Sequence, residues 1–186
     1  MIRRASLSWL VLLVALVVGA QIKLPPSMIV WNESRKLTWQ DFQMPPPANR
    51  NADSKTTAEI WHEDRWLCPS TKLHTTIVAV FNRDESWAID EVKSDDRLLR
   101  HEKLHFDLAE VYARILRKKL SAFKIPCRYE KSVIQAQIKV IADNNIKDLQ
   151  VEQDRYDVET KHGLNEKAQT EWERQVKARL QLGVSH

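Results

Sequence analysis

The stretch Ser94-Asp95-Asp96-Arg97-Leu98-Leu99-Arg100-His101-Glu102-Lys103-Leu104-His105-Phe106-Asp107-Leu108 decides the fold, because the apolar period changes there from two to 3.6. Ser94, Asp95 and Asp96 offer an N-cap and an acidic first turn. Leu98, His101, Glu102, His105, Leu108, Ala109, Tyr112, Ile115 and Leu116 then recur at three- and four-residue intervals. This predicts one helix running to about Ala122, stopped by Pro126. Upstream, Leu73 to Phe81 is the clearest strand: it is β-branched, and Leu73, Thr75, Ile77, Ala79 and Phe81 share a face. Thr56 to Leu67 predicts a second strand, and Ile29-Val30-Trp31 and Leu37-Thr38-Trp39 are short strand-like pieces. Pro45 to Lys55 is a polar, proline-rich exposed loop. Downstream, Glu130 to about Lys161 reads as a long helix with a possible break at Asp143-Asn144-Asn145. Gly163 is a natural stop, and Asn165 to Leu180 is a third helix. Strands first and helices afterwards means α+β: a small N-terminal sheet, then a long central helix and further helices.

The central helix carries His101-Glu102-Lys103-Leu104-His105, an H-E-x-x-H sequence. Histidines at i and i+4 stand one above the other on one helical face, so both imidazoles reach a single Zn²⁺. The adjoining glutamate is placed to take the proton of a zinc-activated water and pass it to a leaving amine. A chain with this content of His and Glu produces the pattern by chance only about 0.01 times. The third ligand is not beside the pair, since the glycine and third histidine of H-E-x-x-H-x-x-G-x-x-H are lacking. His162 is the leading candidate; Glu159, Asp157 and Glu152 are rivals, because a helical carboxylate can serve equally. His62 and His74 fall in the strand region and read as structural or surface residues.

At 186 residues, with 43% apolar and 29% charged residues, the chain is globular, with room for one domain. Only 3 glycines are present, and neither GxGxxG nor GxxxxGK[ST] occurs. Arg3 and Arg4, an apolar run, and Val18-Gly19-Ala20 have the layout of a secretory signal over residues 1–20, cleaved near Ala20. An uncleaved membrane anchor is the alternative, although the run is short for a span of about 20 residues. The functional domain is then 21–186, periplasmic or secreted, with no stable membrane insertion after cleavage. Without the two signal arginines the net charge falls from +4 to +2, with no basic stripe for nucleic acid. Two cysteines in an oxidising compartment, Cys68 and Cys127, predict one disulfide.

Leu98-Leu99-x-His-Glu-x-x-His-Phe-Asp-Leu-x-Glu, followed by Tyr156-Asp157-x-x-Thr160-x-His162-Gly163 and then Gln169 and Trp172, resembles the domain of unknown function 922 family. These are small bacterial proteins described as zinc-dependent peptidases, often secreted. Leu37-Thr38-Trp39-x-Asp41-Phe42 is similar to that family's start, so the resemblance covers nearly all of the mature chain. It implies a metallopeptidase-like, zincin-like fold with His101, Glu102 and His105 in site roles. It also favours His162 as a site residue; the expected metal ligands are then His101, His105 and His162, and the expected catalytic residues Glu102 and Tyr156. Lys103 departs from the uncharged residue usual there in zinc peptidases. The expected function is zinc-dependent hydrolysis of peptide or protein substrates. The alternatives are a zinc amidase acting on cell-wall peptide and a non-catalytic zinc-binding scaffold. Four protein ligands would mark the scaffold; three and an open position would mark the enzyme.

Overall fold

A computed structural model of the chain describes residues 23–66, 68 and 73–182; the signal sequence expected over residues 1–20 lies outside them. The order is β1 (Met28–Val30), β2 (Ser54–Lys55), β3 (Ala58–Arg65), β4 (His74–Asn82), β5 (Trp87–Ala88), α1 (Asp96–Ser121), α2 (Lys131–Thr160) and α3 (Glu166–Leu182). The architecture is α+β, as the change of period predicts.

Strands β1, β4 and β3 form an antiparallel sheet in that order, with β4 central and β3 on an edge. The alternation in β4 buries Ile77, Ala79 and Phe81, the face on which α1 packs. Phe81 meets Phe42 at 5.1 Å and Phe106 of α1 at 5.9 Å, so one aromatic run ties the opening segment through the sheet to the helix. The expected strand at Leu37-Thr38-Trp39 is instead a lead into a 3-10 turn over Trp39–Asp41. The Asp41 carboxylate accepts from the Thr38 N–H at 2.9 Å and from the Arg35 guanidinium at 2.9 Å, which satisfies the turn locally. The expected loop ends in β2, which pairs with β5 through Ser54↔Ala88 and Lys55↔Trp87.

Helix α1 begins at an Asp95 cap whose Oδ1 accepts from the Leu98 N–H at 2.9 Å. It is buried on more than its expected stripe, with Leu99, Leu104, Phe106 and Val111 buried as well. Sheet lies on one side and α2 and α3 pack on the other, so α1 is the central element. Helix α2 runs unbroken for 30 residues. Asn145, where a break is conceivable, is fully buried; it donates to the Tyr112 carbonyl and accepts from Lys119 Nζ. Its polarity is thus spent on α1. The turn after α2 passes through three residues of positive φ, Lys161 at 51°, His162 at 52° and Gly163 at 80°. A Cβ on Gly163 would stand 2.9 Å from His101 Cβ, so glycine is required both by φ and by close approach to α1. Cys68 and Cys127 form the expected disulfide, tying the chain after β3 to the α1–α2 connection.

Candidate metal centre

The free edge of β3, the histidine face of α1 and the C-terminal half of α2 enclose a cleft of about 700 Å³. His101 and His105, one turn apart on α1, both aim Nε2 into it, 3.3 Å from each other. Asp157 of α2 meets them there: its Oδ1 lies 3.1 Å from His101 Nε2 and 3.0 Å from His105 Nε2. The His162 ring stands at the exposed lip, with Nδ1 3.7 Å from the same Asp157 oxygen. Ligand atoms of His101, Asp157 and His162 all lie within 4.8 Å of one another.

The far sides of both rings decide what the near sides are. Gln169, fully buried, gives its Nε2 to the Glu173 carboxylate at 3.1 Å, so its Oε1 must face Tyr156 and His101. That oxygen accepts from the Tyr156 hydroxyl at 2.8 Å and stands 3.3 Å from His101 Nδ1, which is therefore an N–H donor. Gln153 Oε1 stands 2.8 Å from His105 Nδ1 and accepts from it when that nitrogen carries the ring proton. With Nδ1 as the donor, the neutral form of each ring turns a bare Nε2 lone pair toward the Asp157 carboxylate. Three acceptor atoms then converge with no donor among them, an arrangement that a cation or added protons must satisfy. Burial lowers the His105 pKa, but bonding to Asp157 and the charge of Glu102 raise it on balance, so this ring draws a second proton or a cation.

The donor set fits zinc. Two imidazole nitrogens and one carboxylate oxygen are its ordinary ligands, and bonds of about 2.0–2.1 Å in a tetrahedron imply ligand separations of about 3.3 Å. The observed separations of 3.0, 3.1 and 3.3 Å are close to that. Where protons on the two Nε2 atoms take the place of a cation, both rings donate to Asp157; burial raises its pKa, but this bonding, from His101 and then His105, outweighs it and holds the carboxyl below its ordinary range. Asp157 thus stays an anion.

Glu102 projects into the same cleft, and its Oε1 accepts from Ser54 Oγ at 2.6 Å. The β2–β5 pair therefore sets the glutamate, a partnership that sequence spacing does not reveal. Lys103 points away from this cleft, into a pocket on the other side of α1. Burial and then Lys36 push its ammonium pKa down.

Among the candidates for the third ligand, the structure brings Asp157 to the histidine pair, puts His162 beside it, and directs Glu159 and Glu152 elsewhere. Glu159 accepts from the Trp172 indole at 2.7 Å, and Glu152 pairs with Arg179 at 2.7 Å. Tyr156, expected with Glu102 among the catalytic residues, is fully buried under the site and not on the cleft wall. Its ring stacks on His101 at 4.6 Å and 20°, and its hydroxyl also donates to the His101 carbonyl at 3.2 Å. Burial raises the phenol pKa, so the hydroxyl remains a donor. His62 bonds Asp64 at 3.0 Å on β3, and His74 is exposed on β4, as expected of residues outside a site. Gln153 was not singled out from sequence; its available signal is position i−4 from Asp157 on one helical face.

Among the described residues, no helix is long and apolar enough to cross a membrane. Comparison with curated proteins and with solved structures finds no match. Residues 41–163 match the family model described as "Bacterial protein of unknown function (DUF922)", a span that contains the H-E-x-x-H helix, Asp157 and the His162-Gly163 turn. The chain belongs to the DUF922 family.

Proposed function

We propose that the protein is a zinc-dependent peptidase acting outside the cytoplasm. The observation that carries the reading is the convergence of His101 Nε2, His105 Nε2 and Asp157 Oδ1 within 3.3 Å of one another, with the Glu102 carboxylate in the same cleft. A zinc ion held there would lower the pKa of a coordinated water towards about 7 and polarise a carbonyl. The chain's own residues supply the rest. Glu102 Oε1 is held by Ser54, which leaves Oε2 to take a proton from the attacking water and return it to the leaving amine. Tyr156 and Gln169 lock His101 from behind, and Gln153 locks His105. Among the described residues the β3 edge facing the cleft has no strand partner, and an extended peptide can add to it by main-chain hydrogen bonds. The disulfide supports an oxidising compartment.

Glu102→Gln tests the reading, with casein and a cell-wall stem peptide as parallel substrates. The variant should keep its fold and bind zinc, while hydrolysis falls about 10²–10⁴-fold. Unchanged hydrolysis in the variant, or none in zinc-loaded wild type, overturns it. One observation favours a second reading, the non-catalytic scaffold. His162 Nδ1 is near enough to Asp157 to become a fourth protein ligand and close the site.

A further inference from the structure

We propose that a second pocket, on the opposite side of α1 from the histidines, binds a small amphipathic carboxylate: an apolar body carrying one anionic head. The pocket has a volume of about 400 Å³, at the small end of the range for ligand sites. Its walls come from three parts of the chain: the segment from Trp31 to Leu37, the outer face of α1, and the end of α3. The apolar lining is Trp31, Leu37, Leu104, Phe106 and Leu180.

The charges around that lining do not balance. Arg35 is bonded to Asp41 at 2.9 Å, Arg114 to Glu110 at 2.8 Å, and Glu173 to Arg100 at 2.8 Å. Lys36, Lys103 and Lys177 also line the pocket, and among the described residues none has a carboxylate within 4.0 Å. Glu33 lies at the rim. The other carboxylate, Asp107, already accepts from the Trp31 indole N–H at 2.7 Å, and Lys36 and Lys103 both act on its charge. Arg114 lies over the Trp31 ring at 5.3 Å, which fixes the indole as a rigid wall. Outside the bonded pairs, three ammonium groups (Lys36, Lys103 and Lys177) face two carboxylates (Glu33 and Asp107), so the result is an apolar slot under a mouth with one net positive charge. It fits a hydrocarbon body against Trp31, Leu104 and Leu180 with a carboxylate drawn to the excess charge of Lys36, Lys103 and Lys177. This also gives Lys103, the charge inside H-E-x-x-H, a task separate from the zinc site.

Two sources offer that chemistry, a medium-chain fatty acid and the C-terminal residue of a peptide. Calorimetric titration of the full-length protein with octanoate and with N-acetylphenylalanine distinguishes them, with N-acetylphenylalaninamide as the uncharged control. Saturable binding of either acid at millimolar concentration or below is expected, with movement of the Trp31 indole N–H resonance. Lys36→Gln and Lys103→Gln should each weaken that binding about tenfold, and the amide should bind about tenfold less tightly than its acid. Binding of octanoate alone assigns the fatty-acid source, and of N-acetylphenylalanine alone the peptide terminus. No saturable binding of either acid overturns the proposal. So does binding unchanged in both lysine variants, or equal binding of acid and amide. Zinc titration of the same variants should match wild type, so failure here is distinguishable from failure of the metal site.

Discussion

Replacing Gln169 by leucine probes how the proposed metal centre is oriented, without touching a proposed ligand. The side chain is fully buried and makes three hydrogen bonds, to the Tyr156 hydroxyl, His101 Nδ1 and Glu173. Leucine has similar bulk, so the loss is polar and not a cavity. The Tyr156 hydroxyl keeps the His101 carbonyl at 3.2 Å, and His101 Nδ1 keeps only a distant contact with Thr160 Oγ1 at 3.5 Å. One buried donor is therefore left almost unpaired and a second partly so, at about 1–3 kcal/mol for a full loss. The metal-free protein should lose about 3 kcal/mol in urea unfolding. Zinc affinity, measured against a competing chelator, should fall about 10–100-fold because His101 can now choose its tautomer and rotate. Gln175→Leu, an exposed change on the same helix, should cost less than about 0.5 kcal/mol and leave zinc unaffected. Zinc affinity within twofold of wild type in Gln169→Leu would refute the orienting role.

Gly163→Ala should destabilise the protein by about 2 kcal/mol or more, from its φ of 80° and the 2.9 Å approach to His101 Cβ; a neutral result in urea unfolding contradicts the close packing. Breaking the Cys68–Cys127 bond, which spans 59 residues, should cost about 4 kcal/mol, seen by comparing Cys127→Ser with wild type. Asp95→Ala should cost about 1 kcal/mol at neutral pH through loss of the α1 cap. The Leu98 N–H holds the Asp95 carboxyl below its ordinary value, so that stability is present above an unfolded pKa of about 3.9. It is lost as pH falls through the folded value. Unfolding measured across that window should show the wild-type advantage shrinking; an advantage that grows on acidification refutes the charge contribution.

Local patterns carried most of the fold. The switch of period at Ser94 located α1, which spans Asp96–Ser121, and the β-branched run located β4 at His74–Asn82. The pieces that were misread depend on partners distant in sequence. Leu37-Thr38-Trp39 has strand composition but becomes a turn because Asp41 satisfies its backbone, and β2 exists only because β5 lies across from it. The same distinction holds in the site. His101, Glu102 and His105 are legible because one helical turn brings them together. Asp157 stood only among several acids on α2, and nothing in the chain order ranks it above His162. That ranking comes from where α2 crosses α1, which places Asp157 within 3.1 Å of both rings while Glu152 and Glu159 face other partners.

The central claim is that His101, His105 and Asp157 hold one zinc ion and leave a position open. X-ray absorption at the zinc edge, on full-length protein loaded with one equivalent and on its Asp157→Asn and His162→Ala variants, tests it directly. Two imidazole nitrogens, a carboxylate oxygen and one non-protein oxygen are expected at about 2.0–2.1 Å, lost or distorted in Asp157→Asn and unchanged in His162→Ala. A third imidazole that disappears in His162→Ala, or a spectrum indifferent to Asp157→Asn, would contradict it.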